Sequence, residues 1–170
     1  MTFEEFLGGS FERLAGYARL LAGNRTEGDD LLAEALLVAQ RRWPDIAVME
    51  YPVAYVRTII TSRHLKRRRS WFARNVTTHS PETLPEPSDS HGGQLNEVAR
   101  IDDQHQIATL LAGLPPRQRT AVVMRYFLDL SYDQIATELG ATPTAAKTLV
   151  SRGLAGMRIV GAAENFQETR

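Results

Sequence analysis

The sequence predicts an all-α protein in which two small helical domains are joined by a flexible acidic linker rich in Pro, Gly and Ser. Three observations predict this fold class. Apolar residues recur at three- and four-residue steps in both halves of the chain, which is the period of an amphipathic helix. No segment alternates apolar and polar residues as a half-buried strand does. Between the halves, residues 79–93 contain three prolines, two glycines and almost no apolar side chains, a composition typical of a mobile linker.

The first domain is predicted at residues 1–77 and begins with two amphipathic helices. An apolar stripe that starts at Phe3 predicts the first helix, which Gly23 interrupts. The segment that starts at Thr26 opens the second helix, whose stripe continues to about Trp43. The apolar positions of the two stripes are Phe3, Phe6, Leu7, Phe11, Leu14, Ala18, Leu21, Leu31, Leu32, Ala35, Leu36 and Ala39.

A third helix is predicted from Pro52 toward Arg69, after a loop bracketed by Pro44 and Pro52. Its apolar positions, which we expect to face a core, are Val53, Val56, Ile59 and Ile60. From Tyr51 to Ser80 the chain carries basic residues and no acidic residue. These basic residues are Arg57, Arg63, Lys66, Arg67, Arg68, Arg69 and Arg74.

This basic segment predicts polyanion binding, although the whole chain has 20 basic and 20 acidic residues. The charge is unevenly placed, at +3, −5 and +2 over residues 1–78, 79–108 and 109–170. Trp71 and Phe72 follow the run Lys66–Arg69 and add aromatic surfaces on which unpaired bases stack. A solvated helix end or a membrane-surface helix would be the alternative interpretation. Seven cations without an acid favour nucleic acid.

The linker is placed at residues 78–97 and the second domain at residues 98–170. Apolar residues between Leu95 and Leu111 predict a helix, and Leu114-Pro115-Pro116 starts another that runs from Arg117 to Phe127.

A helix-turn-helix is predicted next. Ser131 is a natural N-cap, and Gln134 three residues later completes a capping box. Gly140 ends the first helix where a left-handed residue is needed. Thr142 then caps the second helix, with Pro143 at its first position. The buried stripe of the first helix is Ile135, Ala136 and Leu139. Two helices joined this tightly are typical of a motif whose second helix enters the DNA major groove.

Several function classes are excluded by what the sequence lacks. It has no cysteine, no apolar run of membrane-spanning length and no signal peptide, so we expect a cytoplasmic protein without membrane insertion. We find no phosphate loop, nucleophile elbow or metal-ligand cluster, and therefore expect no enzymatic activity, small-molecule substrate, cofactor or metal. Asp29 and Asp30 are explained as partners of a helix dipole, whereas Glu34 suits a protein-binding face. The four histidines, His64, His79, His91 and His105, are predicted to be solvent-exposed.

Four motifs in this order resemble the extracytoplasmic-function (ECF) sigma factors of bacterial RNA polymerase, in their actinobacterial form. The resemblance covers nearly the entire chain. The motifs are Asp30-Leu31-Leu32-Ala33-Glu34-Ala35, Tyr51-Pro52-Val53-Ala54-Tyr55-Val56-Arg57, Leu114-Pro115-Pro116-Arg117-Gln118-Arg119, and the helix-turn-helix.

The resemblance implies that the first domain binds the polymerase clamp and melts the −10 element, while the second domain reads the −35 element. The implied clamp contacts are Asp30 and Glu34. Residues 43–51 would hold an unstacked base. The implied −10 contacts are Tyr55, Arg57, Arg63, Lys66 and Arg67.

The resemblance also implies a −35 recognition helix from Thr144 to Arg158. Its DNA contacts would be Lys147, Thr148, Leu149, Ser151 and Arg152. Its core positions would be Ala146, Val150 and Leu154. Arg158 is interpreted as a C-terminal dipole partner. At the position of Leu149 the family often has arginine or another polar residue, so one usual base contact is either missing or replaced by apolar contact with a thymine methyl.

The implied partners are core RNA polymerase, promoter DNA and an anti-sigma protein. Two alternatives remain open at the level of the sequence: a helix-turn-helix transcription regulator with an N-terminal sensor, and an inactive sigma-like protein that titrates a partner. Binding of core polymerase followed by initiation would separate a sigma factor from both.

Overall fold

The computed structural model describes the backbone of residues 1–75 and 106–168 and the side chains of residues 1–70 and 106–158. Within these ranges all regular structure is helical, which confirms the predicted all-α class. The helices are α1 (Phe3–Ala22), α2 (Arg25–Arg41), α3 (Trp43–Ile46), α4 (Pro52–Asn75), α5 (106–112), α6 (Pro116–Tyr126), α7 (Tyr132–Leu139) and α8 (Pro143–Glu168).

Polar side chains cap the starts of α1 and α2, and a glycine ends α1. Thr2 and Glu5 form a capping box at the start of α1, and Gly23 ends α1 in the left-handed conformation at φ 91°. The side chain of Asn24, rather than Thr26, caps α2 by accepting from the Glu27 backbone N–H at 2.8 Å. α2 therefore begins at Arg25, one residue before the segment that was predicted to open it.

The segment after α2 is more helical than predicted. α2 ends at Arg41, and the short helix α3 contains Pro44, which was predicted to lie in a loop. Pro44 fits there because a proline in a first helical turn sacrifices no hydrogen bond. Trp43 packs at ring-centroid distances of 5.2 and 4.8 Å against Phe3 and Phe6, and this contact holds α3 on α1.

The core of the first domain lies between α1, α2 and α4. Val56 and Ile60 of α4 are fully buried, as predicted, and Val53 and Ile59 pack at its edge. Tyr17 is also fully buried, and its hydroxyl lies 2.8 Å from the Thr61 hydroxyl. Phe11 was predicted in this core but is 42% exposed.

The second domain packs α6, α7 and α8 around an apolar core. Ala146 and Val150 of α8 are buried, as predicted, together with the predicted stripe of α7, Ile135, Ala136 and Leu139. Of the helix predicted between Leu95 and Leu111, residues 106–112 are helical, and Leu95 lies outside the described residues.

The two predicted domains are in direct contact, because α1 and α4 pack against α6. The boundaries at 1–77, 78–97 and 98–170 remain predictions, since residues 76–105 lie outside the described part of the chain. Trp71, Phe72, His79, His91 and His105 lie outside the described side chains as well.

Candidate nucleic-acid interface

The turn between α7 and α8 has the caps that the sequence predicted. The Ser131 hydroxyl accepts from the Gln134 backbone N–H at 3.2 Å, and the Gln134 side chain accepts from the Ser131 N–H at 2.9 Å. Gly140 is left-handed at φ 60°. The Thr142 hydroxyl accepts from the Ala145 N–H at 3.1 Å and caps the start of α8, whereas the end of α7 is satisfied by the backbone N–H groups of Gly140 and Ala141, which both donate to the Ala136 carbonyl.

α8 presents one polar face to solvent. Lys147, Thr148, Ser151 and Arg152 are exposed and recur at the spacing of neighbouring turns on a single side of the helix. Leu149 is half-buried and packs at the edge of the core, so its side chain is less accessible than its four predicted companions. The helix also runs well beyond the predicted end at residue 158, to Glu168. Arg158 is therefore not in the last turn of α8, and the interpretation of Arg158 as a C-terminal dipole partner was wrong.

A shallow open groove lies beside this face, and sequence reasoning missed one of its basic residues. Arg117, at the start of α6, lines it opposite residues of α8, and its guanidinium donates to the Leu139 carbonyl at 3.1 Å. Its position directly after Pro116, in the first turn of the helix that precedes the helix-turn-helix, was a signal that could have pointed to it. The groove is lined by Arg117, Ala141, Thr142, Thr144, Ala145, Thr148, Leu149 and Arg152.

The basic residues of α4 fall into two groups. Lys66, Arg67 and Arg69 are exposed, whereas Arg63 is half-buried. Arg68 donates to the Ala22 carbonyl at 3.3 Å and so helps to join α4 to α1.

Tyr55, on the first half of α4, has a partner that the sequence did not reveal. The Arg42 guanidinium donates to its hydroxyl at 2.5 Å and also lies 5.5 Å from the ring centroid. Arg42 thereby fixes the orientation of this aromatic side chain.

Arg57 is occupied by a carboxylate of the other domain. Its Nε lies 3.0 Å from both carboxylate oxygens of Glu138, and its Nη2 makes a further short contact with Oε1. The two side chains are 12% and 11% exposed, so the pair is nearly enclosed. A predicted −10 contact is thus paired with a residue of α7, 81 positions away in sequence.

Glu34, a predicted clamp contact, binds two residues that were predicted to contact the −10 element. Its carboxylate accepts from Arg63 at 2.9 Å and also contacts Arg67. Partial burial would by itself raise the pKa of Glu34, but the hydrogen bonds and charges of Arg67 and Arg63 outweigh burial and lower it. Asp30, the other predicted clamp contact, is exposed one turn earlier on α2. Asp29, predicted as a dipole partner, instead pairs with Arg19 at 2.7 Å.

His64 is buried, at 3% exposure, which contradicts the prediction that it is solvent-exposed. It lies four residues after Ile60 and eight after Val56, so the apolar stripe of α4 carries it into the core. Burial, followed by the charge of Arg119, lowers the pKa of His64 to about 3. The imidazole is therefore neutral at neutral pH.

Exposed apolar side chains cluster in the segment between α3 and α4. Val48 is 84% exposed and Tyr51 is 67% exposed, and Met49 lies between them. These are the residues at the end of the segment for which the sequence implied a base-holding role. Exposed apolar groups this close together are typical of a binding surface.

The described part of the chain lacks two other classes of site. None of its helices has the length and apolar character to cross a membrane. None of its clusters of acidic residues and histidines could hold a metal ion.

Comparison with known proteins identifies relatives of this chain. The family model of sigma-70 region 4 matches residues 104–157. The RNA polymerase sigma-E factor of Streptomyces coelicolor is 30% identical over 159 residues, which cover 93% of this chain and 85% of that protein. The ECF RNA polymerase sigma factor SigL of Mycobacterium tuberculosis is 28% identical over 145 residues, covering 84% of this chain and 79% of SigL.

A solved structure has the same fold. It is the sigma factor RpoE from Bartonella quintana in complex with the anti-sigma factor NepR, and it matches 92% of this chain and 94% of its own at a TM-score of 0.68 and 19% identity. This likeness agrees with the sequence relatives and with the helix-turn-helix that α7 and α8 form. The chain belongs to the extracytoplasmic-function sigma factors of RNA polymerase, of the actinobacterial type, and is a transcription initiation protein.

Proposed function

We propose that this protein binds core RNA polymerase and directs it to specific promoters by reading the −35 element as duplex and melting the −10 element. The observation that carries the proposal is the presence of two exposed surfaces suited to nucleic acid on different parts of one chain. One is the exposed polar face of α8, and the other is the basic half of α4.

The −35 element is read by α8 in the major groove. Arg152 and Lys147 donate to guanine edges or to phosphates, and Thr148 and Ser151 suit either partner. Leu149 contacts a thymine methyl with the part of its side chain that remains exposed. Arg117, across the groove, donates to a backbone phosphate and sets the register of α8 on the duplex.

The −10 element is bound by α4 and by the segment before it. The residues that contact the melted strand are Tyr55, Arg57, Arg63, Lys66 and Arg67. The exposed side chains of Val48, Met49 and Tyr51 provide an apolar surface against which an unstacked base packs.

Core polymerase binds the outer face of α2. Asp30, Glu34 and Leu37 recur at i, i+4 and i+7 and so share one side of the helix. Leu37 is 55% exposed and adds an apolar group to this otherwise acidic face. Because Glu34 also pairs with Arg63 and Arg67, clamp binding would change the environment of two −10 contacts.

An anti-sigma protein is a further proposed partner. The Bartonella relative was solved in complex with an anti-sigma factor, and its fold covers nearly the whole of this chain. We expect such a partner to occlude α2 or α8.

The test is run-off transcription with purified actinobacterial core polymerase on genomic fragments, with and without the protein. New specific transcripts would establish promoter-directed initiation and give the −10 and −35 sequences. Core binding without transcripts would favour a sigma-like protein that titrates a partner. The absence of both would overturn the proposal and favour a helix-turn-helix regulator.

A further inference from the structure

The two domains contact each other through a side chain that the proposed function needs free. Arg57 of α4 is held by Glu138 of α7 through both carboxylate oxygens, and the pair is nearly enclosed. A guanidinium forms its strongest contacts with one bidentate anion at a time. While Glu138 occupies Arg57, a phosphate of the −10 strand cannot take the same position.

Further contacts join the two domains. The buried Arg119 of α6 donates to the Leu21 carbonyl of α1 at 2.9 Å. The ring of Phe127 lies against α1 at Gly16, where a Cβ would stand 2.9 Å from the ring tip. The interface therefore combines an enclosed ion pair, a buried hydrogen bond and an apolar contact.

This closed arrangement is incompatible with simultaneous reading of both promoter elements. The −10 and −35 elements are separated by roughly 25 base pairs, which is roughly 85 Å at about 3.4 Å per base pair. In the closed chain, Glu138 of the helix-turn-helix touches Arg57 of the −10 surface. The domains must separate before α4 and α8 reach their own elements.

We propose that this interface is an autoinhibitory contact in which Glu138 takes the place of a DNA phosphate on Arg57. The inference rests on the proposed function, since it needs Arg57 to bind the −10 strand. The free protein is then mostly closed, and core polymerase, which binds the open form better, shifts the population. The apparent affinity for polymerase is lowered by the small fraction of open molecules.

The experiment measures the separation of the domains in the full-length free chain. Because the sequence has no cysteine, Gln40→Cys and Ala155→Cys on exposed positions of α2 and α8 provide a unique pair for fluorescent labels. Glu138→Gln removes the carboxylate charge at nearly constant size. Asp133→Asn is the matched control, since Asp133 is exposed and lies on the same helix.

We expect Glu138→Gln to raise the open fraction about tenfold over the control and to tighten the apparent Kd for core polymerase by about the same factor. A second variant, Gly16→Leu, places a side chain where the Phe127 ring lies and leaves Glu138 intact. Leucine is a better helix former than glycine, so α1 should persist, and its side chain competes with the Phe127 ring for space and should weaken the contact between the domains.

Unchanged label distances in both variants, in a chain that binds core polymerase, would overturn the autoinhibitory contact alone. Opening without any binding of core polymerase, by wild type or variant, would overturn the proposed function and the inhibitory role with it. Opening accompanied by tighter polymerase binding supports both.

Discussion

Arg152 and Arg158 are two exposed cations on the same helix, six positions apart, and this makes them a matched pair for testing base readout. We expect Arg152→Ala to weaken binding to the −35 duplex by about 1–3 kcal/mol, because it removes donors to a base edge. Arg158→Ala should change binding little, since Arg158 lies further along α8 and does not line the groove that Arg152 lines. Fluorescence anisotropy with the cognate and a scrambled duplex measures both.

An equal loss on the cognate and the scrambled duplex would contradict base readout by Arg152 and indicate a phosphate contact. A loss for Arg158→Ala as large as that for Arg152→Ala would place the recognition surface further along α8.

His64 links stability to pH at the junction of the two domains. Burial, then the charges of Arg119, Arg68 and Arg67, hold its pKa at about 3, whereas the pKa of a histidine in the unfolded chain is about 6.5. Between these values the unfolded chain binds the extra proton. The stabilisation is therefore complete above about pH 6.5 and is lost as the pH falls toward 3, at up to roughly 1.4 kcal/mol per pH unit.

Glutamine does not titrate, so we expect the free energy of unfolding of the His64→Gln variant to fall less steeply with decreasing pH. Urea unfolding at pH 7.5, 6.5 and 5.5 gives the slope of the free energy of unfolding against pH for wild type and variant. The difference between the two slopes isolates His64, because the acidic residues are common to both proteins. Parallel slopes below about pH 6.5 would show that His64 is protonated in the folded chain as readily as in the unfolded one.

At the scale of the helix, α1 and α2 approach so closely that only glycine fits at position 28. A Cβ on Gly28 would stand 2.5 Å from the backbone Cα of Arg19. Gly28→Ala should destabilise the fold by about 1–3 kcal/mol, because the overlap outweighs the better helix propensity of alanine. Gly8→Ala, on an open face of α1 with nothing within 4 Å, should instead stabilise by about 0.5–1 kcal/mol.

Urea unfolding at one pH compares the free energy of unfolding of the two variants. Stabilisation by Gly28→Ala would show that α1 and α2 can separate at this crossing without loss of packing.

At the scale of the whole molecule, zero net charge conceals a segregation of charge that salt titration can detect. Lys66 is exposed on the basic half of α4. We expect Lys66→Ala to lower the salt slope for promoter DNA with a single-stranded −10 region by about 0.7, the value for one phosphate contact on a single strand. Arg25→Ala, which removes the same charge from a side chain 82% exposed on α2, is the control.

Equal changes in slope for the two variants would mean that the overall charge, rather than the surface on α4, governs DNA binding. An unchanged slope for Lys66→Ala alone would remove Lys66 from the −10 surface.

The sequence predicted the features that depend on local interactions. The caps at Ser131 and Thr142 and the left-handed Gly140 are set by neighbours within three residues, so they could be recognised directly. The start of α2 was predicted one residue late, although Asn24 is among the strongest N-cap residues and could have marked it.

Features that depend on tertiary contacts could not be predicted. The Arg57–Glu138 pair joins residues 81 positions apart, and no periodicity encodes such a contact. His64 lies on the same stripe of α4 as the buried Val56 and Ile60, so its burial was encoded in the sequence. A histidine at the end of such a stripe can nevertheless be buried or exposed, and the packing of α6 against α4 decides which. The −10, −35 and clamp contacts stay predictions.

α7 has a further consequence for protein engineering. It is eight residues long, well below the roughly 12–15 residues at which an isolated helix becomes marginally stable. Its two caps and the burial of Ile135 and Leu139 against the neighbouring helices supply what its length does not. A peptide of α7 and α8 alone would lose part of this support, so a promoter-reading module moved into a chimeric regulator should be cut before Leu114 and keep α6.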